Sequence, residues 1–361
     1  MFRKKGKFLT GIVTGILALA LVGCGAQNPS TPGQEKAEPV NLTGAGSSFV
    51  YPLLNQQIEE YRKANSNITI NYQSTGSGAG IKQVSEQTID FGATDGPMTE
   101  DQQKAAKGGE ILHIPLTLGA VAVTYNVPNA PKNLKISPAV LGDIFLGTIT
   151  NWNDKRIATD NPGVTLPDTK ITVAHRSDGS GTTYIFSDYL SSISPEWLSK
   201  VGKGTSLNWP AGIGGKGNAG VAGAIQQTPG SIGYLELAYA VQNNLSYATM
   251  QNKEGKWIAP SLQSTSAAAA AATIPEDMKV SIVNSPGAEA YPITGFTWAL
   301  IYQDQKDKAK GTALVNFLNW SIHDGQNLSE ALQYAKLPAS LVVREEAMLK
   351  SITFQGQPIL K

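Results

Sequence analysis

Short apolar runs of period two alternate along this chain with stretches whose apolar residues recur every three or four positions. Ile68, Ile70 and Tyr72 alternate with Thr69 and Asn71, the pattern of a strand with one buried face. Residues 89–95 form a shorter strand that ends in the carboxylate of Asp95 and is stopped at Pro97. The run 111–127 is apolar and β-branched almost throughout, which predicts a central strand. Two further strand patterns cover 171–174 and 291–302. Helical spacing appears at Leu53, Leu54, Ile58 and Tyr61, and at Ile81 and Val84. It returns over 137–146, at Tyr184, Ile185, Phe186, Tyr189 and Leu190, and at Val221 and Ile225. The alanine run 267–272 is helical by propensity, and helices are expected over 313–320 and 328–335. Strands alternating with helices predict an α/β fold with largely parallel sheets, whose ligands sit at the carboxyl ends of strands.

The amino terminus follows another rule. Arg3, Lys4, Lys5 and Lys7 precede a mostly apolar run over 8–22, the layout of a signal peptide, expected here over 1–23. The apolar core is short for a membrane span. It ends Leu21-Val22-Gly23-Cys24, which resembles a bacterial lipobox, and Cys24 is the one cysteine of the chain. Cys24 is therefore expected to be the first mature residue and to carry a lipid. Residues 24–40, rich in Pro, Gly and polar side chains, then form a lipidated N-terminus and flexible linker. The expected location is extracytoplasmic, with the chain anchored to the cell envelope at the outer face of the cytoplasmic membrane or in the periplasm.

Composition narrows the function classes. The 361 residues suffice for two domains or one large one, and 41% hydrophobic against 16% charged residues marks a globular chain. Lys and Arg number 29 and Asp and Glu 28, for a formal net charge of +1. Nothing in that balance favours nucleic acid, so any affinity for anions must be local. A single cysteine excludes an internal disulfide, and His113, His175 and His323 stand far apart, so no metal and no cofactor are expected.

The candidate chemistry lies in polar turns. Arg176-Ser177-Asp178-Gly179-Ser180-Gly181-Thr182 follows a strand pattern and opens a helical one. It joins a fixed cation to hydroxyls and free backbone N–H groups at a helix start, the equipment for holding an oxyanion. A capped helix with a local Arg–Asp pair accounts for the same stretch. Ser47-Ser48 and Gly76-Ser77 also stand before helical patterns, and three such starts make coincidence less economical. Asp178 is placed to hold Arg176. Asp95 is a turn residue on one reading. On the other it accepts a hydrogen bond from an oxyanion that still carries a proton, as phosphate does near neutral pH and sulfate does not. The run 212–217 matches G-x-G-x-x-G in form, but Asn208-Trp209-Pro210 before it is no strand, so a dinucleotide site fails and a ligand-flanking glycine loop is expected. No G-x-S-x-G occurs, and His175 should point away from Arg176 across its strand, so an enzyme is not expected.

With these residues placed, the chain resembles the substrate-binding proteins of the high-affinity phosphate ABC transporter. The resemblance is carried by Leu42-Thr43-Gly44-Ala45-Gly46-Ser47-Ser48-Phe49, Thr75-Gly76-Ser77-Gly78, Asp90-Phe91-Gly92-Ala93-Thr94-Asp95 and Leu141-Gly142-Asp143-Ile144-Phe145-Leu146-Gly147. The stretch Arg176 to Thr182, Gly214-Gly215-Lys216-Gly217-Asn218, Pro229-Gly230-Ser231-Ile232-Gly233-Tyr234 and Tyr291-Pro292-Ile293 complete it, from about residue 41 to 361. It implies a two-lobed periplasmic-binding-protein-like fold of type II, each lobe a mixed, largely parallel sheet flanked by helices, with a hinge between lobes. Lobe 1 would be discontinuous, 41–124 plus 290–361, and lobe 2 would span 125–289. It implies phosphate ligands at Ser48, Phe49, Ser77, Asp95, Arg176, Ser180, Gly181 and Thr182, with Asp178 orienting Arg176. It also implies a monomeric receptor that delivers phosphate to membrane permease and ATPase subunits. The alternatives are a binding protein for sulfate, molybdate or arsenate and, far behind, a phosphatase. Many relatives have Thr where Ser48 stands, which keeps the hydroxyl. The family's Gly-Ser-Ser-Gly-Gly reads Gly76-Ser77-Gly78-Ala79-Gly80 here.

Overall fold

The structure, a computed structural model, describes residues 38–360. The expected signal peptide, Cys24 and most of the linker lie outside the described residues. Nine strands share one sheet. They are β1 (Val40–Gly46), β2 (Ile68–Gln73), β3 (Phe91–Thr94), β4 (Ile111–Asn126), β5 (Thr172–Arg176), β6 (Ile213–Gly215), β7 (Ser231–Glu236), β8 (Ser246–Tyr247) and β9 (Thr294–Tyr302). Their order is β2-β1-β3-β9-β4-β7-β5-β6, with β8 also on β4. Parallel pairing holds in the two flanks, β2-β1-β3 and β7-β5-β6. The middle is antiparallel, because β9 enters late in the chain between β3 and β4, and β4 pairs antiparallel with β7. The strand patterns predicted β2, β3, β4, β5 and β9, but not β1, β6, β7, β8 or this return.

β4 joins the halves. Its first part, Ile111–Ala120, pairs with β9 and its last part, Val121–Asn126, with β7. All of it except Asn126 is buried, which explains the unbroken apolar run. One core gathers Leu42, Leu54, Phe91, Ile114, Phe296 and Phe317. Another gathers Val123, Phe145, Trp152, Phe186, Trp197 and Tyr234. Each fully buried aliphatic or aromatic side chain of this kind contributes about 1.5–3 kcal/mol.

Six helices frame the polar turns and the cores: α1 (Tyr51–Ala64), α2 (Ser77–Ser85), α3 (Gly181–Ile193), α4 (Gly217–Gln227), α5 (Lys308–Ile322) and α6 (Ala339–Lys350). α1 buries Leu53, Leu54, Ile58 and Tyr61, the stripe read in the sequence, and carries Pro52 in its first turn, where a missing N–H costs nothing. α3 is capped by Ser180, whose Oγ accepts from Thr183 N at 3.0 Å, a bond of about 1 kcal/mol.

Two sequence expectations change. The helix expected over 328–335 is instead a pair of short 3-10 turns, Asp324–Leu328 and Glu330–Leu332. Gln333 then takes a left-handed φ of 67°, and Tyr334 turns inward to donate to Phe49 O at 2.6 Å. Tertiary contact overrides helical propensity there, and the helix resumes after Pro338 as α6. The glycine run 212–217 is not a loop throughout. Its residues Ile213–Gly215 form the edge strand β6, and a Cβ on Gly215 would stand 2.5 Å from backbone atoms of Gly220 and Val221. That glycine serves the close packing of β6 on α4.

Candidate functional site

The parallel flanks bring the polar turns together. Ser47, Ser48 and Phe49 follow the end of β1, Ser77 opens α2 after β2, and Asp95 follows β3. From the other flank, Arg176 ends β5 and Gly217 and Asn218 open α4 after β6. Every turn thus lies at the carboxyl end of a parallel strand, where backbone N–H groups and the positive ends of helices face out of the sheet. All eight residues expected to hold the ligand are buried: Ser48, Phe49, Ser77, Asp95, Arg176, Ser180, Gly181 and Thr182. The flanks touch through Gly78 N, which donates to Gly179 O at 3.0 Å.

Arg176 and Asp178 form a two-pronged pair. Nε donates to Oδ1 at 2.8 Å and Nη2 to Oδ2 at 2.5 Å. The third guanidinium nitrogen, Nη1, donates to Thr182 Oγ1 at 3.4 Å. The Asp178 Oδ1 atom also accepts from Gly217 N at 3.0 Å. Burial alone would push the Asp178 carboxyl up, but the Arg176 hydrogen bonds and charge, with the Gly217 N–H, outweigh it and hold its pKa below the usual carboxylate value. Asp178 stands against Gly76, whose φ is +93° and whose absent Cβ would overlap the carboxylate. The pair fixes the guanidinium plane. His175 stacks on Trp209 at 4.9 Å between ring centres, away from the Arg176 guanidinium, as strand alternation required.

Asp95 faces a different environment. Its Oδ1 accepts from Ser47 Oγ and, at 2.8 Å, from Thr297 Oγ1. Its backbone N donates to Ser77 Oγ at 3.3 Å. A Cβ on Gly181 would stand 2.5 Å from Asp95 N and Oδ2, so only glycine lets the start of α3 approach this carboxylate. Burial pushes the Asp95 pKa up to about 6, with the Ser47 and Thr297 hydroxyls, the Arg176 charge and Ser77 pulling the other way. The carboxyl therefore sits close to its titration point at neutral pH.

Three neighbours escaped the sequence-based assignment. Ser47 adjoins Ser48 in the first polar turn, yet its hydroxyl serves Asp95 and accepts from Phe49 N at 3.0 Å. Thr297 lies in β9, where the pairing with β4 slips between Thr297 and Trp298. Pro115, which has no N–H to give, sits at that slip, and a bulge of this kind re-aims a side chain. No local signal marks Thr297. Asn218 closes the glycine-rich stretch 214–218, but its polarity alone gave it no role. Among the described residues no cluster of His, Cys, Asp and Glu has the makings of a metal site, and no helix is long and apolar enough to cross a membrane.

The fold and the turns define a class of protein that folds two halves of a sheet around a buried polar seam. Residues 26–324 match the family model described as the PBP superfamily domain. The phosphate-binding protein PstS of Xylella fastidiosa strain 9a5c is 47% identical over 88% of this chain and 86% of its own length. The phosphate-binding protein PstS of Pasteurella multocida is 41% identical, over 86% and 90% respectively. Among solved structures, a high-affinity periplasmic phosphate-binding protein (PfluDING) bound with phosphate superimposes with a TM-score of 0.69 at 17% identity, over 85% of this chain and 93% of that one. A phosphate ABC transporter substrate-binding protein from Clostridium perfringens gives 0.62 at 18% identity, over 82% and 100%. The chain belongs to the PBP superfamily and, within it, to the PstS family of phosphate-binding proteins.

Proposed function

We propose that this chain binds inorganic phosphate at the seam and delivers it to the permease of an ABC importer. The observation that carries the reading is the pairing of unlike groups: a guanidinium held in a fixed plane by Asp178, and a buried carboxylate whose pKa stands at about 6. Arg176 supplies the countercharge and two donors. Backbone N–H groups of Gly181 and Thr182 at the start of α3, of Ser77 at the start of α2 and of Ser48 before α1 supply further donors, with the Ser48, Ser77, Ser180 and Thr182 hydroxyls beside them. The expected Ser180 N–H is given to Thr205 O at 2.8 Å and the Phe49 N–H to Ser47 Oγ at 3.0 Å in this structure. Asp95 accepts the proton that phosphate retains. An anion without that proton meets a like charge and an unpaired acceptor, so sulfate is refused. Nothing in this arrangement supplies a nucleophile activated by a base, and the function is binding rather than turnover.

The two cores are lobes on this reading, 41–124 with 290–361 and 125–289, hinged where the chain passes between them and closing on the ligand. Cys24 carries the lipid that holds a monomeric receptor at the outer face of the membrane, where it meets the permease that the ATPase subunits drive. Calorimetric titration of the purified protein with phosphate, sulfate, arsenate and molybdate tests the reading. Tight binding of phosphate with no heat from sulfate is expected, and preference for sulfate or molybdate overturns it.

A further inference from the structure

Asn218 is wholly buried at the first turn of α4, and each of its polar side-chain atoms has a defined partner. Its Oδ1 accepts from the backbone N–H of Glu236 at 3.0 Å. A backbone amide can only donate, so this contact fixes which end of the side-chain amide is oxygen. Nδ2 is thereby turned toward two hydroxyls, Ser48 Oγ at 3.0 Å and Thr182 Oγ1 at 3.2 Å. The Asn218 backbone N–H also donates to Ser48 Oγ, at 3.1 Å.

A hydroxyl has two acceptor positions and one proton. Ser48 Oγ receives two N–H donors from Asn218, so both acceptor positions are filled. Thr182 Oγ1 receives the Asn218 amide and Arg176 Nη1, and is filled likewise. Neither oxygen can take another donor, and each has its proton left to give. We infer that Asn218 is a positioning residue that commits the hydroxyls of Ser48 and Thr182 to donate, one from each flank of the seam, so that both present hydrogen to an anion held there. Were either hydroxyl free to rotate, it could present a lone pair to the anion and repel it. Asn218 removes that choice before the ligand arrives, which lowers the ordering cost of binding. Ser47 is the contrast: its proton goes to Asp95, so it is withdrawn from the anion.

This inference rests on the phosphate-binding reading, and the test separates the two. Phosphate affinity is measured by calorimetry for the parent protein, for Asn218→Ala, for Ser48→Ala/Thr182→Val, and for the triple variant. Asn218→Ala should weaken phosphate binding by roughly tenfold to a hundredfold in the parent, and by less than about threefold once the two hydroxyls are gone. A merely structural asparagine would cost the same in both backgrounds, and that result, or no loss in the parent, overturns the inference. Failure of the parent itself to bind phosphate would instead overturn the function. Asn218→Asp guards against loss of folding, since it keeps the shape and reverses the polarity. Ionised, its carboxylate draws both hydroxyl protons away from the anion. Its affinity should fall below that of Asn218→Ala at high pH and recover relative to it as pH drops and the carboxyl becomes a donor. Arg176, Asp178 and Glu236 surround the same position in both variants and cancel in the comparison. A ratio between the two variants that does not change with pH overturns the assignment.

Discussion

Arg176 and Asp95 are both buried at the same seam, yet they are held in opposite ways. The Arg176 guanidinium has a carboxylate locked on it at two points, and that carboxylate is itself supported by Gly217 N. Asp95 has neutral hydroxyls and a glycine backbone against it, and the Ser47 and Thr297 hydroxyls with the more distant charge of Arg176 offset its burial only in part. The difference teaches how one cleft holds a permanent positive charge beside a group that can change its state. A guanidinium clamped at two points by a carboxylate is rigid. A carboxylate stabilised only by hydroxyls is poised to share a proton. On the proposed function, affinity then comes from the first wall and selectivity from the second.

The largest expected effect removes the first wall. Arg176→Ala should weaken phosphate binding by roughly a thousandfold or more, the equivalent of about 4 kcal/mol, because the anion loses its buried countercharge while Asp178 keeps its own. Calorimetry showing near-parent affinity would remove Arg176 from the site. The second wall is read without ligand, through stability against pH. The folded Asp95 carboxyl holds its proton up to about 6, whereas its ordinary value is 3.8. Between those values the unfolded chain has released the proton and the folded protein has not. Stability should therefore fall as pH rises through that window and level off above it, with a total of about 3 kcal/mol from this group. Asp95→Asn should remove that fall in denaturant titrations of unliganded protein. An unchanged pH profile would mean that Asp95 is not the group held out of water. Asp178→Asn should have the smallest effect of the three. It weakens a pair that is mostly buried and should lower stability by on the order of 2 kcal/mol, with a milder loss of phosphate affinity than Arg176→Ala. If it matches Arg176→Ala in affinity, Asp178 does more than orient its neighbour.

Much of this was legible in the chain itself. The turns at Ser77, Asp95 and Arg176 could be read because each ends a strand pattern, and those at Ser48, Ser77 and Arg176 because each opens a helical one; the strand before Ser48, β1, was not legible. The two parallel flanks run in opposite directions and bring all of these turns together where β4 passes from β9 to β7. What stayed hidden depends on contacts distant in sequence. β9 inserts between β3 and β4 from the far end of the chain, and with it Thr297 reaches Asp95 across 202 positions. Nothing in the run Thr294 to Tyr302 distinguishes that threonine from others facing a core. Tyr334 is similar: its ring lies in a stretch with helical spacing, but its hydroxyl is drawn to Phe49 O and the helix gives way. Asn218 was visible as part of a glycine-rich stretch, yet its meaning lies in where its two amide hydrogens point, which no spacing reveals.

The measurement that bears most directly on the division between the two walls is sulfate binding by Asp95→Asn. Asparagine keeps the shape of Asp95, removes the like charge and places an amide where the acceptor stood. Calorimetry at neutral pH should give no sulfate binding for the parent protein and a clear sulfate isotherm for the variant. Its preference for phosphate over sulfate should fall by roughly tenfold or more, since an unpaired acceptor facing the anion costs about 1–3 kcal/mol. Sulfate binding that remains undetectable in Asp95→Asn, with phosphate binding intact, would contradict the account: selectivity would then reside in the donor wall and not in the carboxylate opposite it.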